Sequence, residues 1–363
     1  MDLSTKVLSL TLDNPLLPGS GPLSGNAERM IYLAKQNIGG IVTKTIAPKG
    51  AEVVRPCIAG TKDALFNAEA WSEYDSERWA DEFLPQLRET CPDTPVVASI
   101  GYDDEDLKIV VPMLEELVDG FEYVPRYVGK NFEEVTRIVR TLRDLTDKPI
   151  WVKLLAYISD PIGFAGACKA GGADGIVAMT SFGPNMFIDI MKRRPVIGIP
   201  GGYVWTSGPY IKPIALAYVN MIKEAYPEMS VIGCGGCSSA DDVIEFLLAG
   251  ADAVQILTAA IMKGHDYYSK ILADLPKALE KYGFKSIEDV KATGLTKTDP
   301  GFEPSFPVID YEKCTKCGLC VNNCPYFGME MTESGPKVNT DKCFGCGYCE
   351  SRCPVSAISG VIG

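Results

Sequence analysis

Residues 231–258 read VIGCGGCSSADDVIEFLLAGADAVQILT, and this stretch decides the fold. It opens on a β-branched run and breaks at Gly235–Gly236. It then continues as ADDVIEFLLAG, with apolar residues at helical spacing and a glycine at the stop, and closes on a second β-like run, AVQILT. Two short apolar strands around one amphipathic helix make a βαβ unit, whose strands must run parallel. The same alternation extends outward from residue 15 to about residue 285. Its strand-like runs are LLPGSG (16–21), GIVTKT (40–45), VVASIG (96–101), FEYV (121–124), PIWVKLL (149–155), GIVAMT (175–180), VIGCGG (231–236) and AVQILT (253–258). Helical candidates such as AERMIYLAKQN, LKIVVPMLEELV, FEEVTRIVRTLRDL and IALAYVNMIKEA lie between them. Eight such repeats close most naturally into an α/β fold of the TIM (β/α)8 barrel type. An open doubly wound sheet is the runner-up. GSGPLSG (19–25) misses its dinucleotide fingerprint by one residue.

The chain has 363 residues, with 46% hydrophobic and 23% charged side chains, which suits a large barrel plus something small. Lys+Arg number 35 against 47 Asp+Glu, a net charge of −12, and the acidity belongs to residues 1–309. That sign disfavours nucleic acid, whose phosphates are bound chiefly by Lys and Arg. No apolar run reaches membrane-spanning length, and the start lacks the long apolar stretch of a secretory signal, so the cytoplasm is expected. Connections 46–72 and 181–209 are long and rich in Gly, Pro and aromatics, as loops at the C-terminal end of a barrel often are when they carry chemistry. TKTDPGFEPSFP reads as a linker, which predicts a barrel over 1–305 and a second domain over 306–363.

Eight of the 13 cysteines fall within residues 314–353, in CTKCGLCVNNCP (314–325) and CFGCGYCESRCP (343–354). Each copy reads C-x-x-C-x-x-C-x-x-x-C-P, the run of bacterial two-cluster ferredoxins, in which three cysteines wrap one cubane and the fourth reaches the other. This predicts a small two-cluster ferredoxin-like domain. Cys314, Cys317, Cys320 and Cys353 would hold one [4Fe–4S] cluster, and Cys343, Cys346, Cys349 and Cys324 the second. Zinc favours paired C-x-x-C knuckles over such triplets. Gly318, Gly345 and Gly347 leave room and backbone N–H donors for cluster sulfurs.

Clusters move single electrons and most metabolites need pairs, so a flavin is expected inside the barrel to convert between the two. The Gly235–Gly236 turn and the end of AVQILT sit where barrels commonly bind phosphate. GSGPLSG, GGIVTKT, VVASIG, WVKLL, TSGPYIKPIAL and the 231–256 stretch resemble dihydroorotate dehydrogenase and the FMN-containing, pyrimidine-binding part of dihydropyrimidine dehydrogenase. The resemblance implies a non-covalent FMN at the top of the barrel. Gly19, Ser20 and Gly21 match the turn that backs the flavin, and Lys44 and Thr45 the pair beside its ring. Lys153 matches a lysine at the N1/O2 edge, where reduction builds negative charge. Ser207, Gly208, Gly235, Gly236 and Thr258 match the phosphate region.

The fourth strand departs from that pattern. FEYVPRYVGKN has Val124 where the family places a substrate-contacting Asn, and no Cys or Ser appears in 119–143 to serve as acid/base. Met179 replaces a second Asn, while Asn67 looks retained. An amide edge left without partners is costly, so these losses point to a less polar substrate than orotate or uracil. Lys44, Asn67, Arg126 (a carboxylate anchor) and Tyr127 (a proton donor) are the catalytic candidates, with Tyr123, Lys130, Glu69 and Tyr157 as further substitutes. Cys57 is the one cysteine outside the repeats with a route to substrate, although buried filler is its readier reading; Cys234 and Cys237 read as packing, and His265 reads as a surface or interface residue. The expectation is an FMN-dependent CH–CH oxidoreductase, acting as a reductase of a non-pyrimidine carbonyl or carboxylate compound. It would form a homo-oligomer and exchange electrons with a ferredoxin or an NAD(P)H–flavin subunit. The alternatives are a dihydroorotate or dihydropyrimidine dehydrogenase proper, and an electron-transfer subunit of a larger complex. tRNA dihydrouridine synthesis is disfavoured by the acidic barrel.

Overall fold

Strand periodicity explains how the barrel closes. In a computed structural model describing residues 1–125, 132–296 and 301–362, the eight runs form parallel strands β1 (Leu16–Pro18), β2 (Ile41–Val42), β3 (Val96–Ile100), β4 (Gly120–Tyr123), β5 (Ile150–Leu154), β6 (Gly175–Ala178), β7 (Ser230–Cys234) and β8 (Ala253–Ile256). They pair in the order β1-β8-β7-β6-β5-β4-β3-β2. The seam between β1 and β2 is bridged by the Gly39 N–H, which donates to the Leu16 carbonyl at 2.9 Å. Leu17, Val42, Val97, Trp151, Val177, Ile232 and Ala253 point inward and pack with Val7 and Leu12 of a hairpin that plugs one end. Their neighbours, among them Leu16, Ile41, Phe121, Val152, Val231 and Val254, pack outward on the helices. The sheet is therefore a filled barrel rather than an open one.

Because the side-chain period is two, the residues one rung above that apolar plug also point inward. Among them Glu122, Lys153 and Gln255 are polar and nearly inaccessible. Above them lies the C-terminal mouth. The helix Ala240–Leu248 starts where the sequence implies, with the Ser239 side chain accepting from the Asp242 N–H. The two long connections meet in one antiparallel sheet ordered Phe182–Asn185, Val204–Ser207, Leu65–Asn67, Ile58–Gly60. Its register sets Trp205 opposite Asn67 and Ser207 opposite Leu65. Phe66 stacks on Phe187 beneath it, with ring centroids 4.8 Å apart.

The chain divides into two compact units, Met1–Leu295 and Thr296–Gly363, so 296–305 falls with the second. That unit has short strands Val308–Ile309 paired with Ile358–Ser359, and Met329–Thr332 paired with Gly335–Val338. Its sequence duplication extends to the backbone. Lys316 and Gly345, Gly318 and Gly347, and Phe327 and Ser356 occupy equivalent places, all at positive φ. Among its described residues only Met329, Ala357 and Ile358 are buried hydrophobics. No helix among the described residues is long and apolar enough to cross a membrane.

Candidate active site

The cleft at the barrel mouth has a charged floor. Lys153 Nζ donates to Gln255 Oε1 at 2.6 Å and to the Glu122 carboxylate at 3.3 Å, while Gln255 Nε2 donates to Glu122 Oε2 at 2.6 Å. Burial alone would lower the pKa of Lys153. The neighbouring Cys234 sulfur and the Glu122 carboxylate outweigh burial and hold it above the ordinary lysine value. Burial pushes the Cys234 thiol itself upward. That thiol is thus protonated at neutral pH, and Glu122 is the counter-charge that matters there.

On the β2 side, Lys44 is 3% exposed, and its ammonium lies 3.1 Å from Glu73 and 3.4 Å from Glu69. Burial opposes ionisation of Glu73, but its own backbone N–H and Lys44 bring its carboxyl below the usual range. Thr45 Oγ1 is 3.2 Å from the Ser20 hydroxyl and 3.0 Å from that of Ser99, joining β1, β2 and β3 below the rim.

At the opposite end, Ser207 Oγ and Thr258 Oγ1 are 2.7 Å apart, tying the antiparallel sheet to the end of β8. Gly235 and Gly236 turn with φ of 118° and 78°. A Cβ at Gly236 would stand 2.7 Å from Lys212 N and 2.8 Å from the Gly208 carbonyl, so only glycine fits the turn. Asp242 anchors the segment through the Ser238 N–H and hydroxyl and through Lys212 Nζ at 2.6 Å. Burial would raise its pKa, but these hydrogen bonds and Lys212 bring it below the usual carboxylate value.

One cleft, open to solvent, joins these ends. Gly19, Ser20, Gly21, Lys44, Thr45, Lys153, Ser207, Gly235, Gly236 and Thr258 all line it. Gly208 lines an adjoining cavity that shares Gly236, Cys237 and Thr258 with the cleft and adds Lys62 and Lys263. A glycine turn with two hydroxyls at one end and a lysine floor at the other fit the phosphate and the ring edge of an FMN. Asn67, Glu69, Val124 and Met179 also line the cleft, as do Ile58 and Leu65. Asn67 Nδ2 donates to the Trp205 carbonyl at 3.4 Å, which leaves its carbonyl oxygen unused by that bond.

Arg126, Tyr127 and Lys130 lie outside the described residues. Tyr123 does not reach the cleft, because it points outward from β4, is fully buried and donates to the Tyr102 carbonyl at 2.8 Å. Cys57 does not line the cleft either, whereas Cys234 and Cys237 do. They stand at the end of β7 and on the glycine turn. Tyr157 is also absent from the lining, and His265 is exposed with its ring edge-on to Tyr32. Glu122, Gln255, Ser99 and Glu73 went unnoticed in the sequence. The available signal was a polar residue at an inward position of an otherwise apolar run, as in FEYV and AVQILT.

In the second unit, Cys314, Cys317, Cys320 and Cys353 line one cavity, and Cys324, Cys343, Cys346 and Cys349 another. The Gly328 and Ala357 N–H groups donate at 3.2 Å to Cys324 and Cys353. Such donors stabilise thiolates bound to iron. Among the described residues no three His, Cys, Asp or Glu side chains converge closely enough to hold a single ion.

The family model for dihydroorotate dehydrogenase matches residues 2–279, and that for a 4Fe-4S dicluster domain matches 306–354. The catalytic subunit of dihydroorotate dehydrogenase B (NAD(+)) from Pyrococcus furiosus is 33% identical over 304 residues, covering 80% of this chain and 98% of that protein. Dihydroorotate dehydrogenase A (fumarate) from Lactobacillus helveticus is 33% identical over 298 residues, covering 77% and 94%. The counterpart B-type catalytic subunit of Listeria monocytogenes is 30% identical over 304 residues, covering 80% and 97%. A barrel with this cleft, matched along its length, and an eight-cysteine unit after it leave one conclusion: the chain belongs to the dihydroorotate dehydrogenase family of FMN-dependent CH–CH oxidoreductases and carries a 4Fe-4S dicluster domain.

Proposed function

We propose that the protein interconverts dihydroorotate and orotate, or a closely related dihydropyrimidine pair, and exchanges the electrons with an external carrier through two [4Fe–4S] clusters. The carrier is a ferredoxin or an NAD(P)H-oxidising flavin subunit, and the compartment is the cytoplasm, where cysteines stay reduced. The observation that supports this reading is a single cleft gathering the flavin-matched residues of a chain related along its barrel to dihydroorotate dehydrogenases. Bound there, FMN supplies two-electron exchange with the substrate and one-electron exchange with the clusters.

The chain's own residues do the rest. Backbone N–H groups of Gly235 and Gly236, with the Ser207 and Thr258 hydroxyls, hold the phosphate. Lys153 offers a fixed positive charge to the ring edge at which negative charge accumulates. Lys44, braced by Glu69 and Glu73, flanks the ring, and Asn67 presents an amide to the polar edge of the substrate. Arg126 anchors a substrate carboxylate, and Tyr127 delivers the proton. The sets Cys314/Cys317/Cys320/Cys353 and Cys343/Cys346/Cys349/Cys324 each hold one cluster.

A second reading, a less polar substrate such as an unsaturated cyclic ketone or acid, is favoured by Val124 and Met179, which line the cleft where amides would read a pyrimidine. The test is anaerobic reduction of the FMN-loaded enzyme by dithionite, followed by orotate, uracil and less polar enones. Reoxidation by orotate or uracil at about 1 s⁻¹ or faster is expected on the first reading. Failure of both pyrimidines beside rapid reoxidation by an enone establishes the second. Val124→Asn should then raise the rate with orotate about tenfold or more, since one restored hydrogen bond in a buried site is worth roughly that factor.

A further inference from the structure

We infer that Glu122 is a positioning residue that acts on the flavin edge only through Lys153; this rests on the reading that FMN lies over that lysine. The rung below, Leu17, Val42, Val97, Trp151, Val177, Ile232 and Ala253, is wholly apolar, yet the next rung carries a carboxylate 1% exposed beside a lysine 5% exposed. A buried ion pair seldom stabilises a protein more than apolar residues of equal volume. Its presence at the cleft floor therefore calls for another role.

The geometry supplies it. Lys153, Gln255 and Glu122 form a closed ring of hydrogen bonds contributed by β5, β8 and β4. An ammonium cannot accept and a carboxylate cannot donate, so the two ions dictate which way the Gln255 amide faces. With donors on Gln255, Glu122 and the Cys234 sulfur, the lysine head is pinned at the floor of the cleft that it lines. Glu122 lines the same cleft, but its carboxylate is taken up by Lys153 and Gln255, so it acts on a ring edge by holding this ammonium charged and aimed. Beside Lys153 the cleft is also lined by Cys234, at the end of β7, and by the uncharged Met179, just after β6. Lys44, with Glu69 and Glu73, lines the same cleft from the β2 side.

The test compares the full-length wild type with Glu122→Gln, Lys153→Met and the double variant. With Gln at 122 the buried ammonium loses its counter-charge, so its folded pKa falls below the unfolded value of about 10.4. Glu122→Gln should therefore lose most stability at pH 6 and recover as pH rises through that lowered pKa, and adding Lys153→Met should abolish the pH dependence. For FMN, each single variant should weaken binding about tenfold or more, and the double variant no further than the worse single one. Equal destabilisation at every pH, unrelieved by Lys153→Met, would show that Glu122 only fills space and would overturn the inference. Additive losses of FMN affinity would overturn it as well, by giving Glu122 a contact of its own. A wild type that takes up no FMN would instead refute the flavin reading, while the pH comparison still decides whether Glu122 controls Lys153.

Discussion

In the dicluster unit, three cysteines of each set lie within seven consecutive residues, whereas the cleft draws Lys44, Glu122, Lys153 and Gln255 from in or beside four different strands. The first arrangement is a local loop that winds around whatever it binds. The second exists only because a barrel core, plugged by Trp151 and its neighbours, brings distant strands into register. Burial differs accordingly. The barrel has a large contiguous apolar core, while the described part of the dicluster unit buries three hydrophobic side chains. The barrel can thus fold before a cofactor arrives, whereas the small unit, with so little apolar burial, is expected to depend on what its cysteines bind.

Removing a ligand from the small unit is the severest way to break that comparison. Cys346→Ala should cut iron and acid-labile sulfide from about eight of each per chain to about four or fewer, as the loss of one cubane requires. It should also leave residues 296–363 open to proteolysis while the barrel still unfolds cooperatively and keeps its FMN. Iron and sulfide analysis with limited proteolysis reads both; an intact small unit without iron would erase the contrast. Next comes Gly236→Ala, which forces a left-handed residue and a Cβ against the Lys212 and Gly208 backbone. It should cost about 2 kcal/mol in denaturant unfolding and abolish FMN retention, with the clusters untouched.

The smallest effect sharpens the barrel side. Asp242, its pKa lowered by Lys212 and the Ser238 contacts against the pull of burial, contributes stability above its unfolded pKa and loses it as pH falls through the folded one. Asp242→Asn should therefore be about 1–2 kcal/mol less stable than wild type at pH 7, with the gap closing toward pH 3. A gap that persists in acid would mean that the hydrogen bonds, not the charge, carry the contribution. Parallel unfolding curves at the two pH values decide between them.

The same contrast governs how much of each site could be read in advance. Spacing alone paired the eight cysteines into the two sets that line the two cavities. Lys44 and Lys153 stood out because a lysine inside an apolar run is unusual. Glu122 is equally unusual in FEYV, but only its register with Lys153 and Gln255 distinguishes it from a solvated glutamate at a strand end. Tyr123, one residue on, faces the helices by strand alternation and so cannot serve the cleft. Cys57, read chiefly as filler, does not line the cleft, whereas Cys234, read as packing, lines it at the end of β7.

From the sequence alone came the parallel barrel, the dicluster unit and its cysteine sets, since each rests on short-range periodicity or spacing that any fold must respect. The tertiary structure decided what the cleft floor is made of. It joined connections 46–72 and 181–209 into one sheet and closed Lys153, Gln255 and Glu122 into a ring. Those partnerships span more than a hundred residues between Glu122 and Gln255. They are set by strand register and barrel closure, which no local pattern in the chain encodes.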